Sequence, residues 1–548
     1  MRRLLTLGAV LAVLGLTMLP ASTAAPSAEP SKFPLGVGSN DVRPGRANLW
    51  TNTTLQRVRV QWAADPGFTN VLGADTVSVS KTRDGNVFYR LLHLSAATTY
   101  YYRFADPSSP SDVSRVGTFR TAPRPNSDVD VTFTWSGDQD GEIDQGTGQP
   151  CFNNMESFDA INAENSDFYV NLGDTIYSDS RCRTSPASTL AEYEQAYKTN
   201  FGYDAYRNAR AGTSFVTEWD DHEVRNDFDS QSVDPALFRA GRKAFVEMQG
   251  MAQPDPHLGF YRTFRWGKEA QIFILDERSF RTNEADRIDA DHNGTEDCQN
   301  PTTSQPDVAP TLNQSVRDVF GSQLPASGLS DPVSPQCLSN IQSQVVDGTE
   351  RTMLGDAQRN QFLSDLSAST ATFKLVFTED QMQQFYAFPY DRWEGFGWER
   401  DTILHYIDDS NIRNVVWLAT DEHADMAKVV NFNTDSPGTA GQVENSWEYA
   451  VGPIATDVFA VEINDQVGDP SASGKVRGFL QSFNGNTCAQ LGRPSDPHIY
   501  GYGWVHIDAA THTLTIEPKD DTGALIAGNG VPHRGIDIGC NNLVLTAS

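Results

Sequence analysis

The chain has 548 residues, with 42 Gly, 29 Pro, 6 Cys and 21% charged residues. That is room for about two to four domains and too mixed a composition for a low-complexity or disordered chain. Its 71 Asp and Glu outnumber 42 Lys and Arg, for a net charge of −29. Such a surface repels nucleic-acid backbones and anionic bilayers, so nucleic-acid binding as the main role is excluded.

Residues 1–25 read as a secretory signal peptide. Arg2 and Arg3 form a positive start, Leu4 to Leu19 is apolar, and Ser22-Thr23-Ala24 offers small residues for cleavage near Ala25. No later stretch has the apolar length of a membrane span. The expectation is a soluble, secreted monomer without a stable membrane anchor. Six Cys from Cys151 onward fit an oxidising compartment. The chain lacks a CxxC pair, which argues against zinc. Pairing of nearest neighbours joins Cys151 with Cys182, Cys298 with Cys337 and Cys488 with Cys540.

Residues 31–122 alternate polar and apolar side chains in short runs, as in Arg57-Val58-Arg59-Val60-Gln61-Trp62 and Thr76-Val77-Ser78-Val79. They predict an all-β sandwich of fibronectin-III or immunoglobulin size, acting as a scaffold or lid. Pro123-Arg124-Pro125-Asn126 reads as a linker. Residues 127–548 then alternate apolar runs with helical stretches, the pattern of a large α/β domain. Its predicted strands include Val129–Trp135, Phe168–Leu172, Thr213–Trp219, Ala270–Leu275, Phe373–Phe377 and Val415–Ala419. Ser157–Asn165 and Asp356–Ser367 read as helices, and Gly503–Asp508 with Thr513–Ile516 as a late hairpin. Residues 283–351 form a Pro-, Ser- and Asp-rich insertion stapled by Cys298 and Cys337. It holds Asp289-x-Asp291-x-Asn293-Gly294, the first half of a calcium loop, with Asn300 where the closing Glu belongs. Either a structural calcium site or a polar turn fits.

Four predicted strands end in metal-type ligands. Asp138 and Asp140 follow the first, Asp174 and Tyr177 the second, Asp220-Asp221-His222-Glu223 the third, and Asp421-Glu422-His423 the last. In open sheets, ligand sites lie beyond the carboxyl ends of strands, so these turns can converge. Two carboxylates about 4 Å apart repel by roughly 4 kcal/mol at an effective dielectric near 20, and cations or raised pKa values relieve that cost. Oxygen donors with His and Tyr suit iron(III), manganese, calcium or zinc rather than copper. Trp393, Phe396 and Trp398 form an aromatic loop that reads as packing.

Gly137-Asp138-Gln139-Asp140, Leu172-Gly173-Asp174-Thr175-Ile176-Tyr177, Trp219-Asp220-Asp221-His222-Glu223, Leu275-Asp276-Glu277-Arg278-Ser279-Phe280-Arg281 and Ala419-Thr420-Asp421-Glu422-His423 resemble the PhoD-type alkaline phosphatases and phosphodiesterases. These are a secreted branch of the calcineurin-like metallophosphoesterases. The resemblance spans essentially the mature chain. It implies an α/β fold, an αββα metallophosphoesterase sandwich preceded by the all-β domain, with iron(III) and calcium at the sheet edges. Carried over by position, Asp174 bridges metals, Tyr177 binds iron, Asp221 stands where the superfamily has an Asn ligand, and His423 and Asp421 complete the ligand set of the second metal. Asn226 is a further candidate ligand. His222 contacts phosphate or protonates the leaving oxygen. Arg278 either clamps phosphate or pairs with a neighbouring Asp. Two positions depart from the pattern: Asp138 replaces a Cys ligand, and Glu422 adds a carboxylate that lies near the metals or points to solvent.

The implied activity is metal-dependent hydrolysis of phosphate mono- or diesters at alkaline pH, on small-molecule or lipid substrates. No Ser or Cys nucleophile motif competes with it. The alternatives are a calcium-dependent phospholipase of the same family and a catalytically silent calcium-binding secreted protein.

Overall fold

The strand Phe168–Leu172 shows how the layers are built. Phe168, Val170 and Leu172 enter a core between two sheets, while Tyr169 faces the opposite way into a helical layer. A strand covered on both faces reads as one apolar run, so the sequence alone does not say which side chain points where. The computed structural model describes residues 29–284, 296–346, 351–385, 390–432, 442–483, 488–490, 500–526 and 543–547.

Two sheets pack face to face. At the centre of the nine-stranded sheet, Val131–Ser136, Phe168–Leu172 and Ser214–Glu218 run parallel, with Phe168 opposite Phe133 and Val170 opposite Val216. The late hairpin, Gly501–Asp508 and Thr513–Asp520, extends this sheet on one side. The seven-stranded sheet centres on parallel Ala270–Ile274, Phe373–Phe377, Val415–Ala419 and Gln442–Ala450. Between them Phe133 meets Phe377 at 5.8 Å and Phe168 meets Trp266 at 4.8 Å, ring centre to ring centre. Ser157–Ala163, Leu190–Asn200, Asp204–Gly212 and Pro235–Gln249 supply apolar side chains to the outer face of the first sheet. Gly355–Ala368 and Gly397–Asp409 do so for the second. The helices thus cover the outer faces of the two packed sheets, in a mixed α/β fold.

Val37, Leu49, Val58, Val60, Phe104 and Phe119 of the N-terminal strands pack into one buried cluster. Part of this cluster lies on strands of the nine-stranded sheet. Val37–Arg43, Arg46–Asn52 and Asn86–Leu92 belong to the nine-stranded sheet, and Val37–Arg43 pairs parallel with Ser214–Glu218, Ser39 opposite Ser214. Only Arg57–Ala63, Val71–Ser78, Thr99–Asp106, Ser109–Val113 and Gly117–Arg120 form a separate sheet. Strands from both sides of residues 123–126 therefore share one hydrogen-bonded sheet.

Cys151–Cys182 and Cys298–Cys337 are bonded as expected. The Cys540 partner of the third expected pair, the half calcium loop and the signal peptide lie outside the described residues. Within the insertion, Asn313 and Ser334 cap the helices Gln314–Gly321 and Pro335–Asn340. Buried Arg317 makes a two-pronged bond to Asp307 at 2.6 and 2.8 Å. Among the described residues no helix is long and apolar enough to cross a membrane.

Candidate active site

Short loops at the carboxyl ends of both central strand sets carry the acids and histidines to one place. Asp138 follows Val131–Ser136, Asp174 and Tyr177 follow Phe168–Leu172, Asp221 and His222 follow Ser214–Glu218, and Asp421 and His423 follow Val415–Ala419. A Cβ on Gly137 would stand 2.4 Å from the Leu172 carbonyl oxygen, and one on Gly173 2.7 Å from the Asp220 Cβ. The glycine before each aspartate thus lets neighbouring loops close on each other. Asp138, Asp174, Asp421 and His423 take positive φ values of 58°, 48°, 59° and 49°. This left-handed backbone is unusual outside glycine and gathers at functional sites.

Asp138, Asp174 and His423 bring ligand atoms within 4.8 Å of one another, as do Asp174, Asp221 and His222, and also Asp174, Asp220 and Asp421. Asp174 is common to all three groups. Oδ2 of Asp138, Oδ2 of Asp174 and Oδ1 of Asp221 are buried and accept no hydrogen bond. A buried carboxylate oxygen without a donor is costly, and a bound cation satisfies it. The donor set therefore fits metal ions. Tyr177 joins it: its phenol oxygen lies 3.1 Å from His423 Nε2, and its ring stacks on His222 at 4.0 Å.

Each histidine is oriented through Nδ1. His423 bonds Glu462 Oε1 at 2.7 Å, leaving Nε2 3.7 Å from Asp138 Oδ1. His222 bonds Asp179 Oδ1 at 2.5 Å, leaving Nε2 3.9 Å from both Asp174 and Asp221. A carboxylate behind an imidazole fixes its tautomer and ring orientation. Burial pushes the Asp138 carboxyl up to about 7 and Asp140 up to about 6. Asp174 is raised well above the carboxylate range by the same cause. Burial would depress His222; Asp174, Asp221 and Asp179 outweigh it and hold the imidazole well above its ordinary value.

The Trp-Asp-Asp-His-Glu string divides its work. Trp219 is buried among Phe228, Phe238, Phe245 and Phe260 and donates to Asp276 Oδ1 at 3.0 Å. Glu223 accepts from the Thr175 and Asp220 backbone N–H groups, tying this loop to the Asp174 loop. Asp221 and His222 are left facing the cleft.

Arg278 lies beneath the cleft and is fully buried. Its Nε donates to Asp220 at 2.5 Å, and both terminal nitrogens donate to Asp391 at 2.9 and 3.0 Å. Of the two sequence alternatives, pairing with a neighbouring Asp is the geometry present. Asn226 sits exposed at the cleft, its backbone N–H donating to Asp179 Oδ2 at 2.7 Å. Glu422 does not point to solvent: it is buried and accepts from Gln381 and Arg392. Trp393 and Phe396 are buried packing residues, as expected.

Asp179, Asp227, Asp380, Asp391 and Glu462 are not among the residues the motifs name. Asp221, Asp227 and Asp391 form one further group of converging carboxylates, and Asp380, Asp391 and Asp421 another. Asp380 has the same signal as the named acids, since it follows the strand Phe373–Phe377. Glu462 lies on the helix Phe459–Val467, with nothing local to mark it. The cleft has a volume of about 470 Å³, and Arg181 and Arg392 line it beside Tyr177, His222, Asp421 and His423.

Buried carboxylates sharing Asp174, backed by two oriented histidines at the ends of two packed sheets, mark the class: a phosphoric ester hydrolase. Residues 145–482 match the family model described as PhoD-like phosphatase, and residues 20–123 match that of its N-terminal domain. The chain belongs to the PhoD-like phosphatase family. It is 24% identical to "Alkaline phosphatase D" of Bacillus subtilis (strain 168) over 468 residues, 77% of this chain and 69% of the relative. Its fold is similar to a solved structure of PhoD, with a TM-score of 0.69 and 18% identity over 95% of this chain and 92% of that one. A purple acid phosphatase from yellow lupin seeds covers 94% of this chain and 75% of its own at 10% identity, with a TM-score of 0.49.

Proposed function

We propose that this protein is a secreted, metal-dependent hydrolase of phosphate mono- or diesters that works by direct attack of water. The observation that carries this reading is the set of three buried carboxylate oxygens, on Asp138, Asp174 and Asp221, that lack hydrogen-bond donors where three ligand groups share Asp174. Asp138, Asp174, Tyr177 and His423 would hold one cation, and Asp174, Asp221, Asn226 and Asp421 a second, so that His423 serves the ion beside Asp138 and not, as its motif position implies, the second one. Iron(III) and calcium are the proposed pair, with manganese or zinc as substitutes. Carboxylate at Asp138 in place of a thiolate favours the harder ions. Bound there, the cations supply Lewis acidity and lower the pKa of water.

The chain's own residues do the rest. His222, held by Asp179, delivers a proton from Nε2 to the leaving oxygen. Arg278 acts as a positioning residue that fixes Asp220 and Asp391 under the ligands. Arg181 and Arg392 offset the acidic wall where the phosphate enters, as cations in a low-dielectric cleft must for an anion to bind. Secretion is supported by the leader pattern of residues 1–25 and by two disulfides. The test is Asp174→Asn in metal-loaded protein. Turnover of p-nitrophenyl phosphate and its bis ester should vanish with circular dichroism unchanged; a fully active variant overturns the reading.

A further inference from the structure

Beside the cleft lies a second, apolar pocket of about 100 Å³. Val308, Ala309, Leu312 and Phe320 of the insertion line it on one side, Phe459 and Ile463 on the other. Gln305 and Pro306 line both this pocket and the cleft, so the two spaces share a wall. Other contacts tie them together. Glu462 faces the cleft and holds His423, while the next residue, Ile463, lines the pocket. Phe385 packs on Phe459 at 5.7 Å on the pocket side, and cleft-lining Arg392 stacks over the same Phe385 ring at 5.0 Å.

The pocket is a built feature. Arg317 is the charged residue in its lining, and that charge is matched by Asp307 while the same side chain also donates to the Ala309 and Asp331 carbonyls at 2.6 and 3.0 Å. Cys298–Cys337 ties the insertion around it. A preformed apolar hollow gains contacts when an apolar group fills it. Its size sets which group: an engineered cavity of ~150 Å³ takes benzene, so ~100 Å³ takes a short alkyl segment rather than a long chain.

We infer that this pocket is a specificity subsite for a short alkyl substituent of the phosphoester, seated next to the phosphate-binding cleft. The inference rests on the hydrolase reading above and adds the chemistry of the substrate's organic group. It gives the insertion a role in selecting substrate.

The experiment uses metal-loaded enzyme and two homologous series, n-alkyl phosphates followed by phosphate release and alkyl p-nitrophenyl phosphates followed by p-nitrophenol release, each from methyl to hexyl. In whichever series is turned over, kcat/KM should rise about three- to fourfold per added methylene and level off by hexyl. Ala309 and Val476 both line the pocket, so Ala309→Phe and Val476→Phe should each fill it, flatten that rise and leave the methyl ester within about twofold of wild type. A flat wild-type series, or a slope that persists in both folded variants, overturns the inference while leaving the hydrolase reading intact. Failure to turn over p-nitrophenyl phosphate, its bis ester and every member of both series overturns the hydrolase reading and the inference with it; turnover of p-nitrophenyl phosphate with none of either series overturns the inference alone.

Discussion

The phenol oxygen of Tyr177 stands 3.1 Å from Nε2 of His423, although 246 residues separate them. One follows a strand of the nine-stranded sheet and the other a strand of the seven-stranded sheet, so the contact closes the cleft across both. Tyr177→Phe removes one oxygen donor and keeps the packing on His222. Metal content at this site should fall, and turnover with it by at least about tenfold to a hundredfold, the scale of lost ligand support. Elemental analysis beside kcat checks both parts; full metal content with full activity would remove Tyr177 from the ligand set.

Proton delivery by His222 makes a prediction about leaving groups. A poor leaving alkoxide needs the proton and p-nitrophenolate barely does. His222→Ala should therefore slow alkyl phosphates by about 10²–10⁴ and p-nitrophenyl phosphate much less. Asp179→Asn should show the same ordering with a smaller loss, because it leaves the imidazole present but misoriented. Equal losses on both substrates would assign the pair to binding instead.

Arg278 is matched by Asp220 and Asp391 with no exposed surface. Removing one partner of a buried ion pair leaves the other charge unpaired, at about 3–5 kcal/mol. Arg278→Met should lower the unfolding free energy by that amount, measured by chemical denaturation. Arg278→Lys should recover only part of it, since an ammonium cannot make the two-pronged contact. Loss of substrate affinity with stability unchanged would instead make Arg278 a phosphate clamp.

Chelation should destabilise the protein as well as silence it. Ions that bind only the folded state add about 2.7 kcal/mol per site at 100 times Kd. Thermal unfolding with and without chelator reads this directly, and adding back metal should restore midpoint and turnover together.

The helix Leu190–Asn200 gives a test remote from the cleft. Thr189 caps it, and Glu192 reaches back to accept from the Ser188 and Thr189 backbone N–H groups at 2.8 and 2.9 Å. Those bonds, the Ser188 backbone N–H first, lower the Glu192 carboxyl to about 2. A depressed acid stabilises the fold fully above its unfolded value of 4.5, and that contribution is lost as pH falls towards 2. The stability gap between wild type and Glu192→Gln should thus be largest at neutral pH and shrink in acid. Thr189→Ala should cost about 1 kcal/mol. Chemical denaturation at several pH values measures both.

Strand-end acids were readable without coordinates because local chemistry marks them. An apolar run such as Val415–Ala419 must end where polar turn residues begin, and in a parallel sheet that end is where ligands bind. Asp138, Asp174, Asp221 and Asp421 follow from this, as do the strands themselves, whereas the layer order is implied by the family resemblance alone. Asp380 meets the same criterion, since it follows the predicted strand Phe373–Phe377, although no motif names it.

Partners across the chain were not readable, since they depend on which segments pack together. Composition and pattern by themselves determined that the protein has an α/β body with acids and histidines at its strand ends. Only the tertiary structure decided that Glu462 holds His423, that Arg278 is spent on Asp220 and Asp391, and that the N-terminal strands complete the catalytic sheet. A hydrogen bond or ion pair needs groups within a few ångströms, and separations of 39 to 246 residues carry no local trace of that proximity.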